Sequence, residues 1–209
     1  KNNADVSLEC GSYDCSTEKI DYLCDVLNQT DGVLGCEIVG AGLGGCVVAL
    51  IEKEKADKLI LLGDLLYHGP RNDLPKTYAP KDVITLLNAN KNKILAVRGN
   101  CDTEVDQMVL PFPIMAETAL LFVDGKTWFA CHGHRAGANS TAGDLPRLPV
   151  GSVVLSGHTH IPVLETNDDG VTFLNPGSTS IPKGGFPASY AVYEDGKFAV
   201  MGLNGEKIL

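Results

Sequence analysis

Several classes of protein are excluded by what this chain lacks. Its 209 residues contain no apolar run approaching the ~18 needed to cross a bilayer, so no membrane partner is expected. There is no Cys-x-x-Cys pair, and the seven cysteines are an odd number that does not read as a disulfide framework. A reducing, cytoplasmic setting is the expectation that follows. No basic segment followed by an apolar core opens the sequence, whose first residue is Lys rather than Met. Positive charge is scarce: 17 Lys and Arg against 26 Asp and Glu leave a net charge of −9. A surface of that sign repels a nucleic-acid backbone, so no nucleic-acid partner is expected. A small phosphate ester is not excluded, because a bound metal reverses the local field. The remaining composition, 44% hydrophobic and 21% charged, is that of a globular chain able to bury a core.

What is present is a repeated pattern. Leu59 to Leu62 runs into Gly63-Asp64, and Ile94 to Val97 runs into Arg98-Gly99-Asn100-Cys101-Asp102. Trp128 to Cys131 runs into His132-Gly133-His134, and Val153 to Leu155 into Gly157-His158-Thr159-His160. Each is a short apolar run ending beside glycine and a metal-ligand residue type, the form of a buried strand that delivers a side chain at its C-terminal edge. On an extended segment alternate residues share a face, so His158 and His160 are expected to aim two imidazoles at one point. Asp64 offers carboxylate oxygens able to bridge two cations, Asn100 a neutral carbonyl, and His132, His158 and His160 imidazole nitrogens. This mixed nitrogen and oxygen set suits Mn, Fe, Zn, Ni or Co rather than Ca, which prefers oxygen cages.

From about Lys55 onward the chain resembles the calcineurin-like metallophosphoesterases, and within them the small bacterial phosphodiesterase branch. The segments that carry the resemblance are GDLLYHGPRNDLP, AVRGNCDTEVDQM, CHGH, SGHTHIPV and FLNPGSTSIPKGG, together spanning roughly three quarters of the chain. The resemblance implies hydrolysis of small phosphodiesters at a divalent-metal site, with Mn(2+) the expected ion. It implies that one metal takes Asp64, Asn100, His132 and His158, and that a second takes Asp64 and His160 with an Asp-x-His pair from the family's first strand. No Asp-x-His stands upstream of Asp64 here, so one or two ions per chain are expected and the second site is depleted. Catalytic roles are implied for Asn100, Cys101, Asp102 and His132. Cys101 stands where many relatives carry a histidine that protonates the leaving group, and a thiol of ordinary pKa about 8.5 is a poorer acid partner near neutrality. Asp102 is expected to orient its neighbours. His134 and Arg98 are assigned to the substrate side, with metal ligation as the alternative for His134 and pairing to a carboxylate as the favoured alternative for Arg98.

Residues 1–51 differ from the rest: they hold five of the seven cysteines, and eight acidic residues against two basic ones. Ser16 to Glu18 reads as a helix start, with Ile20, Leu23, Cys24 and Leu27 at helical spacing and Asp31-Gly32 closing it. Gly35 to Ile51 reads as a strand, a glycine-rich turn and a second strand. The GAGLGGC stretch resembles the C-terminal domain of galactokinase-type sugar kinases. Two domains are therefore expected, a kinase-like fragment over 1–51 in place of the first strand and a metallophosphoesterase domain over 52–209. A competing alignment lays Glu37-Ile38-Val39-Gly40 over Asp-x-His-Gly and makes Gly44 to Lys55 the first helix. Glu37, or Cys36, would then stand in for a missing ligand.

The expected fold is an α/β two-sheet sandwich of the metallophosphoesterase type. Asp82 to Asn90 reads as a helix, Pro70 to Pro80 as a loop, Asn100 to Asp106 as an acidic turn, and 135–147 as a loop over the site. Ala119 to Val123 with Trp128 to Cys131, Val163 to Glu165 with Thr172 to Leu174, and Tyr190 to Tyr193 with Phe198 to Met201 read as hairpins joined by Asp-Gly turns. A homo-oligomer is left open.

Overall fold

The computed structural model describes residues 33–39, 46–51, 56–70, 72–74, 78–135 and 145–209, the first two stretches by backbone alone. Strands β1 (Val33–Val39) and β2 (Cys46–Ile51) pair antiparallel, with Glu37 opposite Val48. A strand at Cys46–Ile51 overturns the alignment that made Gly44 to Lys55 a helix, because the β-branched pair Val47-Val48 and its apolar flanks bond across a ladder instead. The side chains of Cys36 and Glu37, the helix expected after Ser16, and the glycine-rich turn lie outside what is described.

Strands β3 (Leu59–Leu61) and β4 (Ile94–Ala96) pair parallel and are joined by helix α1 (Pro80–Ala89) and a short 3-10 turn at Lys91–Lys93. Helix α1 begins two residues before the expected Asp82, since Pro80 fits the first helical turn, where its missing N–H costs nothing. A second difference is helix α2 (Glu104–Val109), where an acidic turn was expected. Its start is set by Thr103, whose backbone N–H and hydroxyl both donate to Asp106 Oδ2 at 2.7 and 2.9 Å. The acidic residues of the supposed turn are thus the carboxylates a helix N-terminus favours.

A five-stranded mixed sheet follows, ordered β5-β6-β7-β9-β8, from β5 (Thr118–Val123), β6 (Lys126–Cys131), β7 (Val153–Leu155), β8 (Pro162–Thr166) and β9 (Thr172–Pro176). Hairpin β10 (Ser189–Glu194) and β11 (Lys197–Gly202) completes the described elements. Asp124-Gly125 and Asp195-Gly196 take positive φ at all four residues, as two-residue hairpin turns require.

The period of two along β6 sorts its side chains. Trp128 and Ala130 join Val97, Val153, Leu155 and Leu174 in a core that also receives Ile60, Leu62, Ala191, Tyr193 and Phe198. Phe129 and Cys131 face the opposite side with Val154, Val171 and Phe173. One face of the five-stranded sheet is thus packed on the β3–β4 and β10–β11 pairs, the sandwich arrangement. Helix α1 covers the other side of β3–β4, with Leu87 packed beside Ala96, Leu110, Phe112 and Ile114.

Candidate metal centre

The ends of β3, β4, β6 and β7 converge. His132, just past β6 and 3% exposed, lies with its Nδ1 2.6 Å from the Leu62 carbonyl oxygen. A carbonyl can only accept, so Nδ1 carries the proton and the neutral ring turns the lone pair of Nε2 outward. Around that nitrogen stand Asn100 Oδ1 at 3.0 Å, Asp64 Oδ2 at 3.2 Å and His158 Nδ1 at 3.2 Å. Asn100 Nδ2 is turned toward Cys101 Sγ at 3.2 Å, which fixes the amide oxygen on the shared point. His132 Nε2, Asn100 Oδ1 and Asp64 Oδ2 are acceptors gathered on one another, which repel unless something positive lies among them, and His158 Nδ1 supplies either a proton or, in its other tautomer, a further lone pair. A divalent cation satisfies all four, and the donor atoms of Asp64, His132 and His158 lie within 4.8 Å of one another. The mixed set is one that Zn or Mn accepts.

Without an ion, a proton is the remaining positive charge, and the titration of the pair reflects this. Burial opposes the charged form of His132, yet the hydrogen bond and charge of Asp64 outweigh it, so its pKa lies above 6.5. Burial likewise raises Asp64, but His132 and the Cys101 amide, which donates to Asp64 Oδ1 at 2.8 Å, bring it below 3.8.

Backbone geometry at these ligands is unusual. Asp64, His158 and His160 all have positive φ, 58°, 66° and 61°. A non-glycine residue in that region costs of order 1–2 kcal/mol, so three at one locus mark a place where the surrounding structure enforces conformation. Gly63 and Gly99 make the close approach. A Cβ on Gly99 would collide with Asp64 Oδ1 and the Asp64 amide, and one on Gly63 would collide with the Gly99 backbone. Asp102, 1% exposed, ties the same loops from beneath. Its Oδ2 accepts from the Asp64 and Gly99 amides at 2.8 and 2.7 Å, and its Oδ1 from Leu65 at 2.9 Å. Asp102 therefore holds the site from below and does not face into it.

The positive φ values also correct the reading of Gly157 to His160. They lie past the end of β7, with His158 and His160 in left-handed conformations rather than on an extended segment, so the shared face expected of alternate strand residues does not apply. His158 joins His132, whereas His160 directs Nδ1 to the Ile181 carbonyl at 2.8 Å and stays outside the three-residue donor group. Its pKa is lowered by burial and by the Lys183 charge. His134 is exposed, with its ring 5.5 Å from that of His132 and 6.1 Å from that of His158, and burial with the charges of His132 and Arg135 lowers its pKa. Arg98 pairs with Glu117 at 3.3 Å, while its Nε lies 3.4 Å from the Asp102 carbonyl. Part of the loop expected over the site, 136–144, lies outside the described residues.

Sequence reasoning missed Asn175. It is fully buried, and its amide nitrogen donates to the Gly157 carbonyl at 2.7 Å and lies 3.0 Å from Thr159 Oγ1. Its Oδ1 accepts from the Gly177 amide at 2.9 Å, so one side chain fixes the loop bearing both histidines. The only available signal was an Asn-Pro-Gly at a strand end, which reads equally well as a turn.

Three comparisons with known proteins agree with this geometry. Residues 45–196 match the model for the calcineurin-like phosphoesterase superfamily domain. Over 163 residues the chain is 45% identical to the phosphodiesterase YfcE of Escherichia coli strain K12, covering 78% of this chain and 86% of the relative. A solved structure described as YfcE, a phosphoesterase from E. coli, superposes with a TM-score of 0.69 at 46% identity, over 74% of this chain and 82% of that one. Residues 1–61 separately match the C-terminal model of the GHMP kinases. There the chain is 39% identical over 56 residues to galactokinase of Streptococcus thermophilus, of which it spans 14%. With the superfamily model covering most of its length and a relative at 45% identity, the chain belongs to the calcineurin-like phosphoesterase superfamily.

Proposed function

We propose that this chain is a metal-dependent phosphodiesterase of small phosphodiesters, acting at the point enclosed by Asp64, Asn100, His132 and His158. The observation that carries the reading is the set of three potential ligand atoms, Asn100 Oδ1, Asp64 Oδ2 and His158 Nδ1, within 3.2 Å of His132 Nε2, whose lone pair the Leu62 carbonyl turns into the site. A divalent metal there, Mn(2+) in this reading, supplies a Lewis acid to the phosphoryl oxygens. The chain's own groups do the rest. Asp102 and the close approach of Gly63 and Gly99 fix the angle of Asp64, and Asn175 fixes the loop of His158. His134, exposed beside His132 and His158, can donate to a substrate oxygen. To Cys101, half-buried with its Sγ 3.2 Å from Asn100 Nδ2, this reading gives the place beside the leaving group. We further propose residues 1–51 as a kinase-like fragment and 52–209 as the phosphoesterase domain, a cytoplasmic location, and small phosphodiesters rather than nucleic acid or membrane as partners. Metal-loaded protein should hydrolyse bis-p-nitrophenyl phosphate, and Asp64→Asn should remove the activity. Turnover retained in that variant would refute the site.

A second reading, a catalytically weak metal-binding module, is favoured by one observation. No Asp-x-His precedes Asp64, and β1 pairs with β2 while β3 pairs only with β4 among the described residues. In that case the metal binds but diester turnover does not rise above the metal-only background.

A further inference from the structure

Beside the metal centre lies a cluster of rings that the chemistry above leaves unused. His68 sits between Tyr67 and Tyr78, with ring centroids 4.6 and 5.3 Å away and planes inclined at 70° and 69°. Both tyrosines remain 40% exposed, so each presents ring surface that the imidazole does not cover. Tyr78 is pinned by its hydroxyl, which donates to the Leu66 carbonyl at 2.6 Å, and the His68 carbonyl accepts from Asn72 Nδ2 at 2.7 Å. The cluster is therefore held in place. Yet His68 Nδ1 is buried with no hydrogen-bond partner among the described residues. Buried polar atoms are seldom left unpaired, and an orphan beside an active site asks for a ligand atom or a water.

The cluster adjoins the metal ligands through Cys101. A Cβ on Gly69 would lie 3.0 Å from Cys101 Sγ, which is itself 3.2 Å from Asn100 Nδ2. The segment that carries Tyr67 and His68 therefore meets Cys101, the neighbour of the metal-centre residue Asn100, at Gly69. Resting on the phosphodiesterase reading, we propose that Tyr67, His68 and Tyr78 form the subsite for one ester group of the substrate and select a flat aromatic ring. An aryl group or a nucleobase would supply that ring, stacking on the tyrosines and offering a polar edge to His68.

The test titrates metal-free and Mn-loaded protein with p-nitrophenyl phosphate, thymidine 5′-phosphate and methyl phosphate, which carry an aryl, a nucleobase-bearing and an alkyl ester. At least one ring-bearing probe should bind about tenfold tighter than methyl phosphate (~1.4 kcal/mol at 25 °C), and which one identifies the natural ring. Tyr67→Ala and His68→Ala should each abolish that preference, and Tyr67→Phe should keep it. In turnover of bis-p-nitrophenyl phosphate, Tyr67→Ala should raise KM about tenfold with kcat altered less than twofold. Equal affinity for all three probes, no ring-dependent binding up to the solubility limit, or a preference that survives both alanine variants overturns the subsite. If diesters are hydrolysed without any ring preference, the subsite fails and the phosphodiesterase reading stands. If the preference is present and lost in Tyr67→Ala while no diester is hydrolysed, the converse holds.

Discussion

Asp102 offers a test of how the site is supported as distinct from how it reacts. Its carboxylate accepts three backbone N–H groups, from Asp64, Leu65 and Gly99, at 2.7 to 2.9 Å while 1% exposed. Hydrogen bonds to a charged acceptor contribute roughly 1.5–3 kcal/mol each, but burying the carboxylate offsets part of the sum. For Asp102→Ala we expect a loss of about 4 kcal/mol, since the buried Gly99 amide is orphaned and a void is left. In a chain of this size that lowers Tm by roughly 8–16 °C, at about 2–4 °C per kcal/mol. Asp102→Asn separates shape from charge. With its oxygen in the place of Oδ2 it keeps the Asp64 and Gly99 bonds, but its NH2 then faces the Leu65 amide, so a loss nearer 2 kcal/mol is expected. Both variants should weaken metal binding by roughly 10 to 100-fold, the usual cost of losing a group that orients a ligand. Urea denaturation and calorimetric metal titration read the two effects separately. If Asp102→Ala unfolds at the wild-type midpoint and binds metal normally yet loses turnover, Asp102 takes part in the chemistry and the supporting role assigned to it is wrong.

Other consequences can be measured directly. Metal at 100 times its Kd should raise stability by about 2.7 kcal/mol, so dialysis against EDTA should lower Tm by roughly 5–11 °C; no shift would mean that the four donors hold no ion. Bound metal should approach one equivalent per chain, because His160 lies outside the donor group of Asp64, His132 and His158, and two tightly held equivalents by elemental analysis would refute that. Gly99→Ala should destabilise by about 1–3 kcal/mol and abolish metal binding, since its Cβ would collide with Asp64 Oδ1; crystallography showing Asp64 in place would refute it. In the metal-free protein the Asp64–His132 pair should stabilise most between about pH 4 and 6.5. That contribution is lost as pH falls through the lowered pKa of Asp64 or rises through the raised pKa of His132, and Tm that does not decline on both sides would refute the pairing.

Much of the fold was legible because its strands obey simple periods. Trp128 to Cys131 alternates between two cores, and Asp124-Gly125 and Asp195-Gly196 make the turns their residue types favour. Helix α2 was missed because Thr103 and Asp106 satisfy a turn and a capping box equally well until the downstream residues are seen to continue the helix. In the site, the residue types at the ends of four apolar runs were visible, but their orientation was not. An alternating His-x-His implies a shared face only if the backbone is extended, and φ of 66° and 61° turns His158 and His160 to different partners. Asn175 shows the same limit, drawn to Gly157 by a group distant in sequence, whereas for Arg98 the pairing with a carboxylate was legible and only its partner, Glu117, was not.

The unequal treatment of His158 and His160 bears on how the two halves of such a site depend on each other. Both histidines leave one loop, share its left-handed backbone and have Asn175 behind them. His158 is drawn to a point that Asp64, Asn100 and His132 already define, each of them delivered by a different strand end. His160 stands outside the group of Asp64, His132 and His158, and its Nδ1 is committed to the Ile181 carbonyl. That bond is not opposed to metal binding, since it places the proton on Nδ1 and leaves Nε2 with a lone pair. Restoring a strand that ends in Asp-x-His beside β3 would set two further ligands with that lone pair around a second cation. On the proposed two-metal reading the second half of the site would be short of ligands, while the histidine assigned to it is already oriented by its own loop.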